Sequence, residues 1–313
     1  MPEWIWEAGI GESRAALVDD GHIVEAAIEL PAPLRLGTVA SARLVELTAG
    51  DMGRLDIAGE EAVIPRIPSG VTKGATLTVE IVREAIPETG RPKPPRAMAT
   101  DAVPAPGPDL LARLHASGHP VRTLRAHEPD ALEAAGWSEL LEEATSGAIV
   151  FPLGALRMSP TPAMTLFDVD GPPPLDPLAL AAARAVAVAI RRHAIGGSIG
   201  VDFPTLANKA ARQAVADAID ANLPQPFERT AVNGFGFLQI VRPRPRASLP
   251  ETLRADPAGA AARALLRRLE REPPGSPLHH RLPPAVHARL TARPDWLAEL
   301  ARRTGVTHRL DCA

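Results

Sequence analysis

Apolar and polar residues alternate with a period of two through the first part of the chain, the pattern of half-buried strands. Residues 14–18 and 22–29 flank Asp19-Asp20-Gly21 and predict a hairpin within residues 3–30. Strands this short need a partner sheet. Short apolar runs at 38–47, 53–57, 61–64 and 76–86, separated by Gly-containing turns, predict a small β-barrel of the OB type over 37–90. Proline then dominates 87–108, which also carries Arg91, Lys93 and Arg96, and predicts an extended basic linker, assigned to 91–108.

The period then changes to that of helices. Helical segments are predicted at 109–116, 129–135 and 138–144, the last capped by Ser138, followed by a strand pair at 148–152 and 164–168. Asp176-Pro177 predicts a helix start with a capping side chain, and the Ala-rich run to His193 ends at Gly196-Gly197. A strand at 199–203, a helix at 205–221 and a strand at 234–241 follow. Beyond them an amphipathic helix is predicted at 258–271, with Leu265, Leu266 and Leu269 on one side, and shorter helices at 284–293 and 295–303. The expected fold class is α/β (α+β). Its parts are a hairpin at 1–36, the barrel at 37–90, the linker at 91–108, a helical stretch at 109–160, an α/β core at 161–249 and a small basic domain at 250–313.

One unit of this order constrains chemistry. Two strands joined by a helix form a right-handed parallel crossover, so Asp168 and Asp202 emerge side by side at the strands' C-terminal edge. Strand alternation sends Asp170 to the same side as Asp168. Uncompensated carboxylates repel, and a divalent cation resolves that repulsion. Mg²⁺ suits one or two carboxylates with its remaining positions left to water and substrate phosphate. Aspartates at strand ends also serve simply as helix caps and loop anchors, the role expected of Asp176.

Composition narrows the alternatives. Cys312 is the single cysteine of 313 residues, which excludes an intrachain disulfide and a cysteine-based zinc site. Aromatic content is 3% with no Tyr, which weakens mechanisms built on many stacking rings. The nine His residues show no metal-binding spacing, and His279-His280 falls in a Pro-rich stretch expected to be an exposed turn. Neither Ser159 nor Ser198 sits in a nucleophile elbow, and Gly234-Phe235-Gly236 precedes a strand, unlike a phosphate loop. No signal peptide and no run of 18 apolar residues is present, so a cytoplasmic, membrane-free protein is expected. The net charge of -3 conceals an asymmetry, because 14 Lys and Arg face 7 Asp and Glu from Arg242 onward.

The order of parts resembles the ribonuclease E/G family of bacterial endoribonucleases. Phe167-Asp168-Val169-Asp170, Ile195-Gly196-Gly197 and Val201-Asp202-Phe203 are similar to that family's strand ending in Asp-x-Asn, its Gly-Gly helix end and its Ile-Asp-Phe strand. Residues 234–242 resemble its Arg-Phe-Gly-Leu-Leu-Glu-Met-x-Arg segment, and 11–21 its opening hairpin. The resemblance implies a ribonuclease H-like or deoxyribonuclease I-like mixed-sheet catalytic core, built from 1–36, 109–160 and 161–249, with the barrel inserted. It implies Mg²⁺ on Asp168 and Asp202, with Asp170 in the place of a supporting asparagine, and hydrolysis of single-stranded RNA to 5′-phosphate and 3′-hydroxyl ends. The alternative is an RNA-binding relative that cuts weakly or not at all.

Departures from the family carry expectations of their own. The 5′-end sensor insertion is missing between Thr100 and Asp109, and the paired zinc-link cysteines are absent, so a monomer or dimer without structural zinc is expected in place of a zinc-linked tetramer. Arg54 and Val63 or Ile64 stand where the barrel's base-stacking phenylalanines belong, a loss of about 1–3 kcal/mol per base. Gly234 replaces the Arg before Phe-Gly. Arg83, Arg91, Lys93, Lys209, Arg212, Arg242 and Arg244 are the expected phosphate contacts, which position RNA without reading its sequence.

Overall fold

In the computed structural model, which describes residues 1–48, 50–88 and 92–313, the chain is a mixed α/β protein with several sheets and a closed five-stranded barrel. It begins with β1 (Glu3–Ala8), β2 (Ser13–Asp19) and β3 (His22–Glu29). The barrel follows as β4 (Val39–Leu47), β5 (Gly53–Ile57), β6 (Glu60–Ile64), β7 (Thr76–Arg83) and β8 (Arg96–Ala99), closed in the order β4-β5-β6-β8-β7. β8 lies inside the stretch expected to be a linker. Ala97 explains it, since a fully buried side chain there completes the barrel core with Leu44, Leu55, Ile64, Val79 and Ile81.

Next come α1 (Leu110–His115), β9 (Val121–Thr123), α2 (Ala131–Ala134) and α3 (Trp137–Ser146). β9 pairs in parallel with β1, so the first sheet runs β3-β2-β1-β9 and the barrel is inserted between β3 and α1. The hairpin's missing partner strands are therefore β1 and β9. Ser138 does not cap α3: that helix starts one residue earlier, after Gly136 in a left-handed conformation, because Trp137 is drawn into the core.

The third part holds β10 (Ala148–Phe151), β11 (Gly154–Pro160), β12 (Thr165–Asp170), α4 (Leu175–Arg192), β13 (Gly197–Asp202), α5 (Lys209–Asn222), β14 (Glu228–Arg229) and β15 (Phe237–Arg242). Its six-stranded sheet runs β10-β11-β12-β13-β15-β14, and β12–β13 is its parallel pair. β11 was not expected; it turns the anticipated β10–β12 pair into a meander. Asp176 lies within the first turn of α4 instead of capping it, where a carboxylate still favours the helix dipole. One face of the sheet packs on α4 and α5 through Leu156, Phe167, Val201, Leu238 and Ile240, and Ala179, Ala182, Ala183 and Val186 bring α4 close. The other face leaves Val150, Arg157 and Val241 exposed.

The chain ends with α6 (Leu249–Ala255), α7 (Pro257–Glu270), β16 (His279–Leu282), α8 (Pro284–Thr291), α9 (Pro294–Thr304) and β17 (Arg309–Cys312). A Ser248–Glu251 capping box opens α6. β16 pairs in parallel with β17, so His279-His280 belongs to a strand and His280 is half-buried, contrary to the exposed turn expected. Among the described residues no helix is long and apolar enough to cross a membrane.

Buried charges join the two ends of the chain. Glu12 takes Arg263 at 2.8 Å and also Arg267, while Glu7 takes Arg14 and Arg271. Asp130 meets Arg14 at 2.6 Å, and Arg14 lies over the Trp137 ring. Burial lowers the proton affinity of Arg14, but Glu7 and Asp130 outweigh it and hold the guanidinium above its ordinary value. Removing one member of such a set strands its partners in a dry interior. Glu12→Ala is expected to cost about 3–5 kcal/mol of stability, read by urea unfolding.

Candidate functional site

The central strands show why the aspartates point where they do. In β12, Phe167 and Val169 enter the core, so Asp168 and Asp170 take the opposite face; in β13, Val201 enters and Asp202 leaves. The parallel register sets Asp168 directly across from Asp202. Their carboxylates thus leave one face of the sheet from neighbouring strands, about 4.8 Å apart at the backbone. Asp168 is half-buried, while Asp170 and Asp202 are exposed at the ends of their strands. None of the ion pairs among the described residues engages these three side chains.

Carboxylate oxygens are the hard ligands that fit Mg²⁺, which needs only one or two of them. Asp170 does not close a three-ligand cluster. Among the described residues such a group, with ligand atoms within 4.8 Å, is found at Glu272, His280 and His308. The carboxylate site is a pair with a third acid beside it.

Two neighbours on the same face escaped the sequence reading. Arg157 of β11 lies across from Asp168 in the antiparallel register and is exposed. It was missed because β11 itself was missed; the alternation Leu156-Arg157-Met158 was the available signal. Phe237 of β15 lies across from Asp202, and its ring shares with Met164 and Leu166 the space that a side chain at Gly200 would fill. Just before it, the Asn233 side chain accepts hydrogen bonds from the amides of Phe235 and Phe237, and the Phe203 amide donates to the Gly236 carbonyl. Gly236 has φ +94°, and a Cβ there would lie 2.1 Å from the Phe203 carbonyl, so only glycine lets this turn sit against the end of β13. The turn presents Phe235 at 85% exposure, its carbonyl facing Thr205 just past the end of β13.

The expected phosphate contacts divide. Lys209 and Arg212 open α5, whose Asn208 cap follows the end of β13 by a short loop, and so stay on the carboxylate edge. Arg242 does not. β15 runs antiparallel to β13 and sets Arg242 across from Gly197, five residues or about 17 Å from the Asp202 end. Its guanidinium donates to the Pro224 carbonyl.

Arg83 donates to the Pro94 carbonyl, Lys93 pairs with Glu88 at 2.6 Å, and Arg244 pairs with Glu88 at 2.8 Å and with Glu251. Burial raises the proton affinity of Glu88, and the hydrogen bonds from Lys93 and Arg244 more than reverse it, leaving its carboxyl below the usual range. Arg244 and Arg246 are the bolts that hold the barrel to the core, the latter through Glu84. Arg91 lies outside the described residues. In the barrel, Arg54 pairs with Glu46 at 2.9 Å and Ile64 is buried, so neither offers a stacking surface.

Like charges set across a strand pair oppose folding. Asp202→Asn is therefore expected to raise stability by about 0.2–1 kcal/mol in chelator, measured by thermal unfolding. Added Mg²⁺ is expected to raise the Tm of the unaltered protein and not that of the variant. The chain matches no known family model, and no curated protein matches it, so the reading of the site rests on its own residues.

Proposed function

We propose that the protein is a compact, Mg²⁺-dependent endoribonuclease that hydrolyses phosphodiester bonds of single-stranded RNA at Asp168 and Asp202. The register that sets these two carboxylates across from one another on an open sheet face carries this reading. It accords with the resemblance of the aspartate motifs to the ribonuclease E/G family. On this reading the barrel is of the OB type, and the six-stranded sheet is the family's ribonuclease H-like catalytic core.

Asp168 and Asp202 would hold the cation, which supplies Lewis acidity and charge neutralisation at the scissile phosphodiester. The protein's own groups do the rest. Asp170 accepts a hydrogen bond from a water approaching that phosphate. Arg157, across from Asp168 and in no ion pair among the described residues, can take a phosphate oxygen in two-pronged fashion. Lys209 and the N-terminal turn of α5 hold the adjoining phosphate. Phe235 offers a ring to a neighbouring base, a stacking worth about 1–3 kcal/mol. These contacts position a flexible strand without reading its sequence.

A second reading, an RNA-binding protein without efficient cleavage, is favoured by one observation: Asp170 stands exposed where the family's supporting asparagine belongs, which adds negative charge and removes an amide donor. One assay separates the two. Labelled single-stranded RNA incubated with Mg²⁺ is expected to be cut, with EDTA to remain whole, and with Asp168→Asn or Asp202→Asn to be cut at least about 100-fold more slowly. Cleavage indifferent to EDTA and to both substitutions would rule out the carboxylate mechanism. Binding without cleavage in every condition would select the second reading.

A further inference from the structure

The two sheet elements of the C-terminal part pair with one another and rest on its core through Leu282 and Leu310. β16 and β17 have four residues each and form an isolated two-stranded parallel sheet. A pair of that size is marginal on its own. Strand alternation sends His279 and His280 to opposite faces: His279 pairs with Asp311 at 2.6 Å, while His280 turns inward. There its Nε2 lies 3.0 Å from Nδ1 of His308, the residue before β17, with the ring centroids 5.2 Å apart. Glu272, just past the end of α7, completes the group, and one ligand atom from each of the three lies within 4.8 Å of the others.

The surroundings leave this group unsatisfied. All three side chains are half-buried, and Glu272 Oε2 and His308 Nε2 are buried without a hydrogen-bond partner in the protein. Two imidazole nitrogens at 3.0 Å must share either one proton or one cation. Two nitrogens bound tetrahedrally at about 2.0–2.1 Å stand roughly 3.3 Å apart, a few tenths of an ångström from the separation present.

We propose that Glu272, His280 and His308 bind one divalent transition-metal ion of the Zn²⁺ class, which clips the end of α7 to the β16–β17 pair. Two imidazoles and one carboxylate suit Zn²⁺ and not Mg²⁺, whose ligands are oxygen. A clip between residues 272, 280 and 308 closes two loops, the longer of 28 residues, and lowers the entropy of the unfolded chain. The cysteine count that argued against structural zinc has no bearing on a site made from these donors. Nothing in this assignment depends on the Asp168–Asp202 pair.

The test is a Zn²⁺ titration of the metal-free full chain against a chromophoric chelator, with the Tm followed in parallel. One equivalent is expected to bind, to raise the Tm by about 5 °C and to resist millimolar Mg²⁺. His280→Ala and His308→Ala are each expected to weaken binding at least about 100-fold, while Asp168→Asn and Asp202→Asn leave it unchanged. Should a histidine variant fail to fold, Glu272→Gln, which lies outside both strands, is expected to weaken binding about tenfold or more. Absence of stoichiometric binding, or an affinity unmoved by Glu272→Gln and by the paired histidine substitutions, would overturn the proposal.

Discussion

Parallel pairing of β12 with β13 decides both the core and the chemistry of this protein. Slipped by one residue, either strand would turn its aspartate into the helix layer and its aromatic or β-branched residue into solvent. Burial of Phe167 and Val201 is worth about 1.5–3 kcal/mol each, and the repulsion of facing carboxylates costs about 0.2–1 kcal/mol. Packing therefore wins, and the charges are held together as a consequence. The small residues of α4 matter for the same reason: they allow the crossover helix to lie flat on the pair it connects.

Arginine is used mainly as an internal fastener. Arg263, Arg267 and Arg271 neutralise Glu12 and Glu7 and bind the last third of the chain to its first strands. Arg244 and Arg246 tie the barrel to the core through Glu88 and Glu84. Much of the basic composition after Arg242 is thus engaged in ion pairs within the molecule. Buried ion pairs contribute little net stability, but they penalise every arrangement that leaves one partner alone, and so select how the parts meet. Near the carboxylates, the cations available to an anionic ligand are Arg157 and Lys209 at the start of α5.

Patterns of period two and 3.6 made much of this legible in the sequence. The hairpin, four of the five barrel strands, the crossover around α4 and the juxtaposition of Asp168 with Asp202 all follow from alternation, helix stops and the handedness of a crossover. Elements whose signal is tertiary were not legible. β8 hides among prolines because only its Ala97 meets the barrel core, and β11 is a short run whose partners flank it on both sides. The destination of an arginine is not a local property either. Arg244 looks like a phosphate contact until β15 is known to run antiparallel to β13, which carries it to the other end of the sheet. His280 and His308 are 28 residues apart, and no spacing rule joins them.

Whether the facing carboxylates hold a cation can be seen directly. Crystals soaked in Mn²⁺, diffracted at the manganese absorption edge, test it most directly because the ion reports its own position. An anomalous peak coordinated by both Asp168 and Asp202 is expected, and it should disappear in Asp202→Asn. A fully occupied lattice of protein with no peak between those two side chains would contradict it.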